Sequence, residues 1–391
     1  MTQPAQSLTA SFRRSMRDFD PLLWNALTQD APPFMRHEWL DLLERSGAVS
    51  LQNGWMPLHC AVSAGDALVA AAPLYLKGHG LGEFVYDQLW AGLAARVNQP
   101  YYPKLLAASP FTPVAGYRFL SLPGMERNGL IRGMLGAMER LARENGFTGV
   151  HALFLDDAFA DVLEAQGLPL WEHQGFLWEN ENYRDFQDFL ERFRAGQRKN
   201  IRRERQRLLD SGVRVEIVPA GQAPAPWFRL MHRYYDATND KFGEFGCKYL
   251  PQAFFDGLAD PALHDFLVFS AAFLPGDPEP VGLALLAHGG GGLYGRYWGA
   301  REEVPFLHFE LCYYAPIEWA IERGLAFFDP GMGGEHKPRR GFASRITRSA
   351  HRFLDPVMAG LFEVNIAQVN RLTREYADDL ASMARFKERP R

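Results

Sequence analysis

The feature that most constrains this chain is an order of elements that occurs twice: hairpin, helix, glycine, strand. In the first half, residues 58–76 alternate around the turn Ser63-Ala64-Gly65-Asp66. Residues 131–143 then read as a helix with Leu135, Met138 and Leu141 on its apolar side, closed by Asn145-Gly146 before a strand at 150–155. In the second half, residues 266–273 and 280–287 flank Pro275-Gly276-Asp277-Pro278, and a helix ending at Arg323-Gly324 leads into a strand at 326–329. A helix that returns the chain to a strand beside a hairpin builds a mixed sheet with helices packed on it. The repeat therefore predicts an α/β (α+β) fold in two domains, each a mixed sheet flanked by helices.

Length agrees, because 391 residues exceed one ordinary core and 47% hydrophobic content is enough to bury two. Residues 171–182 are aromatic and polar without a clean period, which sets the boundary near 180 and the domains at 1–180 and 181–391. Residues 77–114, rich in Gly, Tyr and Pro, read as an insertion in the first copy, longer than a simple connection needs. The second domain starts with helices at 185–193 and 198–209 and a strand at 213–218, and the chain ends in a packed helix over 356–386.

Composition excludes several classes. A net charge of −4 with 23% charged residues gives no global polycation, so any anion site is local. Cys60, Cys247 and Cys312 are few and far apart, which suits a reducing compartment and neither a disulfide framework nor a zinc cluster. Arg13, Arg14 and Arg17 have no apolar run behind them, and no stretch reaches the roughly 18 apolar residues of a spanning helix. The expectation is a cytoplasmic protein, with peripheral contact at the inner membrane as the closest approach to a bilayer.

Four segments could carry chemistry in the second domain. Between Arg192 and Arg207 stand eight basic residues against the single acid Glu204. Such a helix is either a solvated face or a surface for a phosphate-rich partner, with Arg198, Lys199, Arg202 and Arg203 as anion anchors. After the glycine turn 289–292, Tyr294, Arg296 and Trp298 alternate along a strand, putting a guanidinium and aromatics where a substrate could lie. Next, His308 and Glu310 open a helix that Pro316 should kink or restart. Two apart, they do not face each other and serve different partners.

The fourth segment, 328–342, follows directly on a strand and packs Glu335, His336, Lys337 and Arg340 among glycines and prolines. His336 could take a proton from an attacking amine with Glu335 orienting it, while Lys337 and Arg340 hold an anionic group. A single histidine lacks the spacing of a zinc site, so no metal is expected. In the first domain, Lys77, Glu83 and Lys104 are candidate groove residues of the insertion, against the plainer reading of a covering loop.

These segments together carry a resemblance. Gly82-Glu83-Phe84, Tyr101-Tyr102-Pro103-Lys104-Leu105, Pro110-Phe111-Thr112-Pro113, Arg198-Lys199-Asn200-Ile201-Arg202-Arg203, Leu293-Tyr294-Gly295-Arg296-Tyr297-Trp298-Gly299, Leu307-His308-Phe309-Glu310 and Gly334-Glu335-His336-Lys337 resemble the FemAB-like family of N-acyltransferases, across roughly residues 34 to 355. The resemblance implies two tandem GNAT-like acyltransferase domains. It implies no tightly bound cofactor, with acyl-CoA, an acyl carrier protein or aminoacyl-tRNA as co-substrate. The acceptor it implies is an amine of the cell envelope, a muropeptide or a lipid amine such as a long-chain base. The chain departs from typical GNAT enzymes in lacking the Gln/Arg-x-x-Gly-x-Gly/Ala loop, since residues 302–307 stand in its place. It also lacks the long paired-helix arm that tRNA-using relatives insert. The rival reading is a non-catalytic module that recognises cell-wall precursors.

Overall fold

The computed structural model describes residues 8–243 and 246–387. They form two compact units, Met1–His173 with Ile346–Arg374, and Gln174–Arg345 with Glu375–Arg391. Strands β1 (Leu8–Arg13), β2 (Trp55–Pro57), β3 (His59–Ala64), β4 (Ala67–Ala72), β5 (Leu74–Lys77), β6 (Lys104–Ala107), β7 (Leu120–Ser121) and β8 (Gly149–Ala152) come first. They are followed by β9 (Leu170–Glu179), β10 (Arg214–Pro219), β11 (Leu267–Phe273), β12 (Gly282–Gly289), β13 (Gly292–Ala300), β14 (Phe327–Asp329) and β15 (Ala343–Phe353).

In the first unit, β2, β5, β6 and β8 lie in that order, with β15 beyond β8. The first two pairings are antiparallel and β6 runs parallel to β8. The helix Arg127–Glu144 makes the crossover between that parallel pair. Glu126 caps it by accepting from the backbone N–H groups of Asn128 and Gly129, and Leu130, Ile131, Met134, Leu135 and Met138 form its buried stripe. A second sheet, β1-β3-β4-β7, holds the predicted hairpin as β3 and β4.

In the second unit the order is β10-β11-β12-β13-β14-β9, with β11, β12 and β13 antiparallel and β13 parallel to β14. The four strands β11 to β14 thus repeat the directions of β2, β5, β6 and β8. Every residue of β11 is buried, as expected of a strand covered on both faces. The helix Pro226–Asp240 buries Trp227, Phe228, Met231, Tyr234 and Tyr235 on its inner side.

The mixed sheets flanked by helices are as the sequence predicts, but three boundaries change. Residues 77–114 are not an insertion outside the core, because Lys104–Ala107 is the fully buried strand β6. It is the hairpin β3–β4 that stands outside the repeat. Residues 171–182, which showed no period, contain most of the ten-residue strand β9, whose near-continuous burial leaves no polar face to alternate. The second unit is not 181–391 without interruption, since Ile346–Arg374 belongs to the first. Among the described residues no helix is long and apolar enough to cross a membrane.

Candidate functional site

The site grows from the way β13 and β14 part. Their ladder pairs Gly292 with Phe327, Leu293 with Phe328 and Tyr294 with Asp329, and ends there. Pro330 follows, without an N–H to donate, and Gly331 turns the chain away at φ +80°, a conformation that favours glycine. On the other side of β13, the register with β12 shifts between Leu285 and Leu286, which leaves Arg296 as the extra residue of a β-bulge. A pocket of about 60 Å³ opens in the split, walled by Gly295, Arg296, Tyr297, Trp298, His308, Cys312, Tyr313 and Pro330.

The helix after β13 supplies the ring wall. It runs as Leu307–Phe309, a π-helical turn Glu310–Tyr314, and Ala315–Glu322. The predicted break at Pro316 becomes this π turn, in which the Ala315 N–H reaches back to the Glu310 carbonyl. His308 packs against Trp298 with ring centroids 4.4 Å apart and lies 5.7 Å from the ring of His336. Tyr313 Oη and His336 Nε2 form a hydrogen bond of 3.0 Å. Burial, then the positive charges of Arg340 and Lys337, push the His336 imidazole down to about 4. Burial and the same positive neighbourhood push His308 down to about 3. Both rings are therefore neutral at pH 7, and burial raises the Tyr313 phenol so that it keeps its proton.

Lys337 and Arg340 of loop 330–342 are buried and bonded within the protein, whereas Glu335 and Arg339 are exposed. Lys337 Nζ donates to the carbonyls of Gly331 at 2.7 Å, Met332 at 3.2 Å and Pro330 at 3.3 Å, stapling the loop that bears His336. Burial lowers Lys337 to about 8, opposed by Asp329 and Cys312. Arg340 donates to Glu204 at 2.9 Å, caps the His336 carbonyl at 3.2 Å and stacks on Phe309. Glu204 also accepts from the Tyr314 hydroxyl at 2.5 Å, so the single acid of the basic run anchors the helix Ala195–Asp210 to this loop. Glu335 is exposed, with no hydrogen bond or ion pair among the described residues, and does not orient His336.

Glu310 faces away from His308, as the spacing predicts. It accepts a two-pronged ion pair from Arg205, at 2.7 to 3.1 Å, in a buried position that raises its carboxyl. Tyr294 is 2% exposed, does not wall the pocket, and packs on Phe327. On the basic helix, Lys199, Arg202 and Arg203 are exposed and Arg198 half-buried, and among the described residues none of the four forms an ion pair. Among the described residues no group of three or more His, Cys, Asp or Glu could hold a metal.

Residues 15–388 match the family described as peptidoglycan biosynthesis/recognition. The chain belongs to the FemAB-like family. No curated protein matches it in sequence. Among solved structures, FemX superposes with a TM-score of 0.53 at 12% identity, over 89% of this chain and 98% of that one. L-PGS from Bacillus licheniformis gives 0.50 at 11% identity, over 85% of this FemAB-like chain and 95% of its own. The C-terminal domain of a putative lysylphosphatidylglycerol synthetase from Agrobacterium fabrum gives 0.51 at 11%, over 92% and 97%. At such identities the likeness is one of fold.

The first-unit candidates of this FemAB-like protein lie together, but internally. Lys104 is 1% exposed and donates to Glu83 at 2.8 Å and Asp87 at 2.6 Å, and Tyr102 donates to Asp87 at 2.9 Å. Burial opposes the Lys104 charge, but the two carboxylates outweigh it and hold it up. Glu83 is raised by burial. Lys77, fully buried, sits 3.8 Å over the Trp55 ring, donates to the Leu81 carbonyl and is lowered to about 7 by burial. Lys104, Glu83 and Asp87 are thus paired in the interior, with Glu83 Oε1 left without a hydrogen-bond partner among the described residues. Tyr313 and Asp329 went unassigned in the sequence. Tyr313 carries no signal of its own in the sequence, and only the order strand, Asp, Pro, Gly hinted at the split.

Proposed function

We propose that this FemAB-like protein is an N-acyltransferase. It transfers an acyl or aminoacyl group from an activated donor, a thioester of CoA or an acyl carrier protein or the ester of an aminoacyl-tRNA, to an amine of a cell-envelope precursor. The observation that carries this reading is the neutral His336–Tyr313 pair at the split between β13 and β14. The names of the fold relatives support it: one is a putative lysylphosphatidylglycerol synthetase, and FemX shares the family name.

The geometry supports a single sequence of bond changes. The acceptor nitrogen attacks the donor carbonyl, and His336 takes the proton the amine must lose. Backbone N–H groups of β13 at the point where its ladder with β14 has ended stabilise the oxyanion. The carbon–sulfur or carbon–oxygen bond then breaks, the Tyr313 hydroxyl protonates the leaving group, and protonated His336 restores the Tyr313 proton. Trp298 and His308 position the acyl group, and Arg198, Lys199, Arg202 and Arg203 draw the phosphates of the donor.

The test is transfer of label from CoA, carrier-protein and tRNA donors to muropeptide and lipid amines by the purified protein. His336→Ala should leave precursor binding intact and cut turnover by about 10² to 10⁴. Undiminished turnover in that variant, or binding without transfer from all three donors in the parent protein, sinks the reading and leaves a recognition module.

A further inference from the structure

A second cavity is on the side of the helix Leu307–Glu322 that faces away from the reaction pocket. It measures about 400 Å³ and lies between the C-terminal half of the basic helix, strand β10 and that helix. The apolar part of its wall is Leu208, Leu209, Val215, Ile217, Ala315 and Trp319. Leu209 is 61% exposed and adds apolar surface to the rim of the cleft. Val215 and Ile217 are alternate residues of an edge strand, so they present a continuous apolar floor.

The charged side chains lining the cleft carry a negative net charge. Arg205 is committed to Glu310 at 2.7 Å and to Glu318 at 2.7 Å. Glu322 is exposed and has no hydrogen bond or ion pair among the described residues. Three carboxylates against one guanidinium leave the lining negative by two charges. A neutral apolar ligand would leave Glu322 unanswered, and a fatty acid or phosphate would be repelled. The volume is that of a small-molecule site.

We infer that this cleft binds a small amphipathic amine, its apolar body on Val215, Ile217, Leu209 and Trp319 and its ammonium between Glu318 and Glu322. The site is distinct from the proposed reaction pocket, because Glu310, Ala315 and Trp319 face one side of the helix and Cys312 and Tyr313 the other. The inference does not depend on which reaction that pocket performs.

Titration calorimetry of the full chain with n-octylammonium, n-octanol and octanoate at neutral pH tests it. Octylammonium should bind, octanol should bind weakly and octanoate not at all. Glu322→Gln, at an exposed position that does not threaten folding, should weaken octylammonium about threefold, and the Glu318→Gln/Glu322→Gln double variant about tenfold. Ala315→Phe should fill the cleft and remove binding. Equal affinity for octanol and octylammonium, affinity unchanged by Glu322→Gln and by the double variant, or no octylammonium binding overturns the inference. Transfer activity should be unchanged by Glu322→Gln, so failure of this site and failure of the proposed reaction read out separately.

Discussion

The two units each contain a parallel strand pair joined by a crossover helix, and the pairs end differently. β6 and β8 stay together through Leu105 with Val150, Leu106 with His151 and Ala107 with Ala152, and the next N–H, that of Leu153, bonds the Ala107 carbonyl at 3.0 Å. β13 and β14 part after Tyr294 and Asp329, where the residue next in line is Pro330. One pair is closed by one more hydrogen bond. The other is opened by the loss of a donor and a bulge at Arg296, and the polar rings gather at the opening. The same frame is thus a structural core in one unit and a candidate reaction centre in the other, and what separates them is a few residues at a strand end.

The comparison predicts that chemistry resides in the second unit alone. His336→Ala should lower kcat/KM by about 10² to 10⁴, and Tyr313→Phe by a similar factor, as measured by steady-state transfer. In the parent, kcat/KM should hold down to about pH 5 and fall as His336, lowered to about 4, takes up its proton. A loss of equal size from a first-unit variant that folds normally breaks the comparison.

Next in size is Lys104→Met, which leaves the buried Glu83 and Asp87 without their cation and should destabilise by about 3 to 5 kcal/mol in urea unfolding. Activity per folded molecule should survive. If it is lost while stability is kept, the first-unit cluster is a site after all.

The third prediction concerns acid. Burial lowers His173 to about 3 and drives His151 and His351 well below the ordinary histidine range. The unfolded chain takes up these protons near pH 6.5 while the folded chain refuses them. Stability is therefore retained above 6.5 and falls as pH drops toward 3, by about 1.4 kcal/mol per pH unit for each histidine. His173→Gln should reduce that slope by one histidine's share in thermal unfolding measured from pH 7 to 4.

The smallest effect sharpens the comparison most. Pro330→Ala restores an N–H at the point of parting and should favour the closed pair by about 1 kcal/mol, lowering kcat/KM about fivefold with little change in stability. An unchanged rate shows that the bulge at Arg296, and not the proline, sets the split.

Much of the frame was legible because its elements obey simple periods: the 131–143 helix, the β11–β12 hairpin and the basic helix all appear within a few residues of where pattern places them. Strand β9 was hidden because burial on both faces erases alternation, and β6 because four residues beginning with a lysine look like loop. Charges in 328–342 read as substrate ligands, since a sequence cannot show that Lys337 turns back on its own carbonyls or that Arg340 finds Glu204 over a hundred residues away. His336 was legible as a candidate. Its partner Tyr313 was not, because that contact is made across the fold.

The placement of Ile346–Arg374 in the first unit bears on how the protein is made. β8 has β15 as its outer neighbour, so a ribosome that has released only the first half of the chain presents a sheet with one rim bare. That rim stays exposed until nearly all of the message has been read. Synthesis is then a race between completion and edge-to-edge sticking, and a fragment cut at residue 180 should aggregate where the whole chain does not.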